Sequence, residues 1–314
     1  MTSKKPNQPV IARDINDLDL LNLQSKFFSE LKKAGRSPNT LKNYKTDLDC
    51  FNQYLKDVQK SLDIKNFSIP QVQQYGNYLE NRYNSDNSRR RRVQALRMFF
   101  DFLVQREVFP TNPVRKIPTS PKFLDIPRPT PFVDVKTLWE YLLDEANTKN
   151  KINRLLALRN QISLLLIFGG GLKVSDMAKL KTSRIFIDKK EGPRVMIEHP
   201  KRDSYTIPLP PVFTEIYELY IKELEAMKKR SGIEFEELLF NANPYRILSG
   251  GLSPRGLEII FEDFRKKLMI TLTPKSLRQA CIFKWLHQGY SDNLIKEWMG
   301  VAPSYSMKLY KEHL

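Results

Sequence analysis

The chain has 314 residues, with 52 Lys and Arg against 35 Asp and Glu, for a formal charge of +17. That length suits two domains better than one, because single cores stop growing near ~250–300 residues. Hydrophobic residues at 41% and aromatics at 11% exclude global disorder, and the longest apolar run, Ile162–Phe168, is too short to span a membrane.

The polar start MTSKKPNQP is followed by no apolar stretch, so a secretory signal is not expected and a cytoplasmic location is. Residues 1–17 read as disordered. Leu18–Leu31 reads as a first helix, and Ser37-Pro38, an N-cap followed by proline at the first helical position, opens a second through Leu55. A third covers about Pro70–Tyr83. A fourth runs from Ser88 to Gln105, with Val93, Leu96, Phe100 and Leu103 on one face. Residues 18–112 are therefore expected to form a helical domain.

Seven of the 20 prolines fall between Pro110 and Pro131. Proline lacks an amide donor and biases its predecessor towards extended backbone, so residues 113–131 read as a semi-rigid linker. A second domain, 132–314, opens with helices at Val135–Asn147 and Asn153–Phe168. Three short strands follow, Arg184–Ile187, Val195–Glu198 and Tyr205–Leu209, separated by turn signals. Helices resume at Pro211–Arg230, Pro254–Lys267, Pro274–His287, Ser291–Met299 and around Ser304–Tyr310. The fold class is mainly α, with one small antiparallel sheet in the second domain.

Several chemistries are excluded by spacing. Gly169-Gly170-Gly171-Leu172-Lys173 is not a Walker loop, since valine follows the lysine, and the glycines read instead as a helix stop. Cys50 and Cys281 lie in no CxxC, and His199, His287 and His313 lack ligand spacing, so no metal and no cofactor are expected. Charge points elsewhere. Residues 1–126 carry 22 basic against 13 acidic side chains and residues 127–314 carry 30 against 22, so both halves suit a polyanion. The densest basic feature is Arg89-Arg90-Arg91-Arg92, with Arg97 two turns on. Four adjacent arginines repel one another unless an anion neutralises them, which points to duplex DNA phosphates, with Arg115 and Lys116 adding to the same surface. The alternative is a solvated basic face.

The order of features in the second half is more specific. An apolar helix ends in GGGLKVSDMAKL, a small sheet carries Lys201, and then come TPKSLR, WMGV and Tyr310 nine residues beyond Val301. This resembles the tyrosine recombinase (phage integrase) family in its Xer-like form. SPNTLKNYKTDLDCFNQYL and SRRRRVQALRMFFDFLVQREVFPTNPVRKI resemble that family's helical, SAM-like core-binding domain. The resemblance spans about Leu18 to His313 and implies a two-domain protein that clamps duplex DNA. It implies strand cleavage and rejoining through a 3′-phosphotyrosine on Tyr310, without metal or ATP. Arg278 would hydrogen-bond the phosphate, Lys275 stands where the family has His or Lys, and Lys201 matches the hairpin general acid. Two positions depart from the pattern. Lys173 replaces the family's first arginine and loses its planar fork, and Val301 replaces a His or Trp donor. Gln279 also replaces a histidine. A binding or accessory protein with a decayed active site is therefore the alternative to a recombinase. The implied partners are double-stranded DNA and other copies of the chain, or a partner recombinase, on that DNA. With only Lys311–Leu314 after Tyr310, the helix that Xer-like relatives exchange between protomers is not expected.

Overall fold

The computed structural model describes residues 19–116, 126–199, 202–243 and 245–314. The expected disordered start, residues 117–125 of the proline-rich stretch and Lys201 lie outside them. The chain divides into two compact units, Met1–Leu124 and Asp125–Leu314.

Among the described residues the first unit carries four α-helices, α1 (Leu20–Lys33), α2 (Pro38–Tyr54), α3 (Ile69–Arg82) and α4 (Asp86–Gln105). Their starts follow local chemistry. The Ser37 hydroxyl accepts from the Thr40 amide at 3.2 Å, and Ser68 and Gln71 close a capping box ahead of α3. The core is strongly aromatic: Phe51 and Phe100 are fully buried, and Phe100 stacks on Phe67 with centroids 5.2 Å apart. The beginning of the expected linker belongs to this unit. Pro113–Lys116 forms a 3-10 turn, and Val114 is buried in the aromatic core because Asn112 Oδ1 accepts its amide.

The second unit begins with α5 (Phe132–Ala146) and α6 (Lys151–Leu164), the latter widening into a π turn over Leu165–Gly169. A one-turn helix, α7 (Val174–Met177), precedes β1 (Ile185–Asp188), β2 (Gly192–His199) and β3 (Arg202–Pro208), an antiparallel sheet in the order β1-β2-β3. After α8 (Val212–Ser231) a second hairpin, β4 (Phe240–Ala242) with β5 (Leu248–Gly250), precedes α9 (Pro254–Leu268), α10 (Pro274–His287), α11 (Asp292–Met299) and α12 (Lys308–Lys311). This hairpin is too short to show alternation, and its turn is held by Asn243, whose side chain accepts the Ile247 amide at 2.9 Å. The final helix is shorter than its sequence pattern predicts. Ser306 caps the Lys308 amide, so the helix starts after it.

The packing that organises this unit runs between α10 and the end of α6. Side chains at three-residue intervals on α10 reach the carbonyls that the helix end leaves over. Lys284 Nζ donates to Phe168 O at 3.3 Å, Cys281 Sγ to Gly169 O at 3.5 Å, and Arg278 Nε to Gly171 O at 2.7 Å. Burial pushes the Cys281 thiol up to about 12, so it stays a neutral donor. Gly171 has φ +65°, and a Cβ there would lie 2.6 Å from Trp285 Cη2. The N-terminus of α10 is tied down in turn. Thr273 and Ser276 form a capping box, Ser276 Oγ lies 2.7 Å from the Thr130 hydroxyl, and Gln279 Oε1 accepts the Arg128 amide at 3.1 Å. Gln279, where a histidine was expected by family pattern, is thus a buried structural tie.

Two stability outcomes follow from this packing. Phe100→Ala should cost about 3–5 kcal/mol in denaturant unfolding of the first unit, because its aromatic neighbours cannot collapse onto the cavity. Gly171→Ala should cost about 2–4 kcal/mol, from the left-handed backbone and from displacement of Trp285, read as a lowered unfolding midpoint.

Candidate functional site

Arg278 lies at the centre of the second unit's candidate site. It sits one turn into α10, and its guanidinium is held by two backbone carbonyls: Nε donates to Gly171 O at 2.7 Å and Nη2 to Met299 O at 2.6 Å. An arginine carries five N–H donors, so three remain outside these bonds, two on Nη1 and one on Nη2. Burial pushes the Arg278 pKa down, while the Tyr310 and Asp176 side chains and then Tyr205 pull it up. These three groups come from α12, α7 and β3, and each acts on the charge of Arg278.

Tyr310 is buried at 8% exposure, its ring tilted against Phe283 with centroids 5.6 Å apart. Its helix is held by Lys311, which pairs with Asp292 of α11 at 2.8 Å, and by Met307, buried in the same core. The preceding turn is fixed by Lys296 Nζ on Pro303 O at 3.0 Å. Lys173 is half-buried at the N-cap position of α7, two residues past the carbonyl that Arg278 grips, and its own carbonyl accepts the Asp176 amide at 3.0 Å. Lys275 is exposed on the first turn of α10. Val301 follows Gly300, whose φ of +64° ends α11, and its side chain packs against the apolar core. It offers no donor. Among the described residues, no cluster of three or more His, Cys, Asp or Glu side chains is arranged to hold a metal, and no helix is long and apolar enough to cross a membrane.

Arg278 and Tyr310 are thus brought together, with Lys173 on the adjoining turn, and Lys201 lies outside the described residues. Asp176 and Tyr205 were missed by sequence reasoning. Asp176 had a signal, standing three residues after Lys173 on the same short turn; Tyr205 had only its place on a strand beside the lysine hairpin.

The arginine run of α4 differs from expectation. Arg92 is buried, not on the outward face: its guanidinium lies 3.7 Å from the Tyr83 ring centroid, and Nη1 donates to Ser88 O at 2.9 Å. Arg91 Nη2 and Nε both donate to Asp47 Oδ1, at 2.9 and 3.2 Å, and Arg89 bonds Asp86 and the Tyr83 carbonyl. Burial pushes the Asp47 carboxyl up, against the pull of Arg91. Repulsion within the run is therefore relieved inside the domain, and an external anion is not needed to explain it. Arg90 lines an open cleft with Asn43, Asn87 and Gln94, where α2 meets α4. Arg97 donates to Val114 O at 3.3 Å, Arg115 grips Asp101 with two 2.6 Å bonds, and Lys116 is exposed.

Comparison with known proteins places these sites in context. Residues 25–107 match the model of the phage integrase N-terminal SAM-like domain. The chain is 25% identical over 288 residues to the tyrosine recombinase XerD of Oceanobacillus iheyensis, covering 90% of this chain and 91% of that one. It is 26% identical over 287 residues to XerC of Myxococcus xanthus, covering 88% of each. Among solved structures, XerH site-specific recombinase in a post-cleavage complex with a palindromic difH substrate superposes with TM-score 0.68 at 13% identity, covering 98% of this chain and 88% of that one. A lambda integrase dimer bound to a COC′ core site gives TM-score 0.65 at 16% identity, covering 93% and 76%. The structural likenesses speak for the fold, while the sequence relatives run through both units. With the SAM-like domain matched at one end and relatives of 25–26% identity running through both units, the chain is similar to the tyrosine recombinases over nearly its whole length.

Proposed function

We propose that this protein is a site-specific DNA recombinase that cuts and rejoins duplex strands through Tyr310. The observation that carries the reading is the placement of Tyr310 beside an arginine already fixed by two carbonyls. In the reaction, the Tyr310 oxygen attacks a phosphodiester phosphorus, forming a 3′-phosphotyrosine as the bond to the 5′-oxygen breaks. Arg278 directs its remaining donors to the non-bridging oxygens as charge builds on them, and Lys173 adds a positive charge. Lys201 is assigned the proton that the leaving 5′-oxygen takes up, and Lys275 a phosphate contact. Attack by a 5′-hydroxyl on the phosphotyrosine reverses the step, so bond energy is conserved without ATP. Arg89, Arg90, Arg91, Arg97, Arg115 and Lys116 are assigned to the DNA backbone. Arg92 is not, being buried over Tyr83. The working assembly we assign is more than one copy on duplex DNA.

Val301 favours a second reading, a DNA-binding protein in which cleavage has decayed, because its side chain faces the apolar core where a phosphate donor would serve. The two are separated by one experiment. A duplex enriched from a random pool by binding, then nicked and given a phosphorothiolate at each position in turn, should trap a covalent adduct. Tyr310→Phe should form none and bind that duplex within about fivefold of wild type, since a lost hydroxyl removes about 1 kcal/mol of binding at most. Lys173→Arg with Val301→His should raise the single-turnover rate by about 10²-fold or more, the worth of one transition-state donor. An adduct that forms only in the doubly restored protein establishes the binding-protein reading instead.

A further inference from the structure

Arginine side chains are long, and one that must meet a phosphate in a defined orientation needs its fork held from behind. In this protein the holding atoms are backbone carbonyls, so whatever fixes their two turns fixes Arg278. The Gly171 turn rests on Trp285: the indole fills the space where a Cβ would stand, with Cη2 2.6 Å from that position. The Met299 carbonyl belongs to the residue after Trp298, at the end of α11. The two indoles meet, with ring centroids 5.0 Å apart at 56°, and both are nearly fully buried. Tyr290 closes the far side edge-on, 5.0 Å from Trp298, and its amide is bonded to the Trp285 carbonyl at 3.2 Å. One buried aromatic pair thus joins the Gly171 turn to the end of α11, which carries the Met299 carbonyl.

We infer that the Trp285–Trp298 pair is a positioning platform for Arg278, setting the distance between the Gly171 and Met299 carbonyls and so the direction of the guanidinium edge left for phosphate. Neither indole touches the reacting atoms; they act through the two turns. The inference rests on the recombinase reading for what Arg278 does, while its spectroscopic test does not. Leucine at 298 would keep the site apolar but leave the platform without its second plane, and phenylalanine would restore a plane.

The test uses the full-length 15N-labelled protein, with the Arg278 Nε–H cross-peak assigned by Arg278→Lys. In wild type this proton, bonded to a buried carbonyl, should give a resolved, slowly exchanging signal. Trp298→Leu should shift it and speed its exchange about tenfold or more, and Trp298→Phe should leave it near wild type, as expected for a bond loosened by roughly 1.4 kcal/mol and then recovered. On the enriched phosphorothiolate duplex, Trp298→Leu should slow single-turnover phosphotyrosine formation by about 10²-fold, the usual effect of a ~1 Å misplacement, with DNA affinity kept. An unchanged Arg278 signal in Trp298→Leu overturns the platform. So does adduct formation that falls only in step with DNA affinity or folded fraction. If wild type forms no adduct at all, the recombinase reading fails, and the Arg278 signal alone decides the platform.

Discussion

Everything in the second unit that bears on chemistry depends on how α10 meets the end of α6. A helix that stops inside a core leaves carbonyls with no intrahelical partner, and each must be satisfied. Here the solution is a row of side-chain donors on the next packed helix: Lys284, Cys281 and Arg278 on the carbonyls of Phe168, Gly169 and Gly171. The same bonds that complete α6 fix the Arg278 guanidinium, so the site is a by-product of solving a helix-termination problem. Removing the arginine would cost more than a phosphate contact, because a buried carbonyl would lose its donor.

This arrangement also explains how Lys173 can coexist with an otherwise well-formed site. The turn after α6 is held by Arg278 on the Gly171 carbonyl and by Trp285 packed against Gly171, so these two side chains carry much of its geometry. Val301 is similar. Gly300 and the Met299 carbonyl carry the turn, and the valine side chain joins the core that also receives Met307 and Tyr310. Both departures thus alter donors without disturbing the backbone that presents them.

Much of the architecture was legible because its signals are local. Ser37-Pro38 and Thr273-Pro274 announce helices by capping chemistry, and the apolar face of α4 follows from spacing. Arg278 and Tyr310 were singled out by order and separation. What stayed hidden was decided by partners distant in sequence. Arg92 turns inward because Tyr83 offers a ring face, and Arg91 is claimed by Asp47, 44 positions earlier. Backbone acceptors leave no mark in a sequence at all, so the carbonyl clamp on Arg278 had no pattern to betray it. The hairpin of β4 and β5 was too short for periodicity to register.

The pairing of Arg91 with Asp47 shows where one of the 35 acidic charges already counted in the net +17 is placed. Asp47 is almost wholly enclosed, so it stays with its arginine; leaving it alone would strand a carboxylate away from water. Arg91 therefore presents a dipole rather than a full positive charge to anything that approaches α4. DNA binding gains much of its free energy from small ions set loose when cations take their place along the backbone. An arginine that already carries its own anion sets none loose. The weak, sequence-blind grip of α4 is thereby smaller than its run of four adjacent arginines suggests.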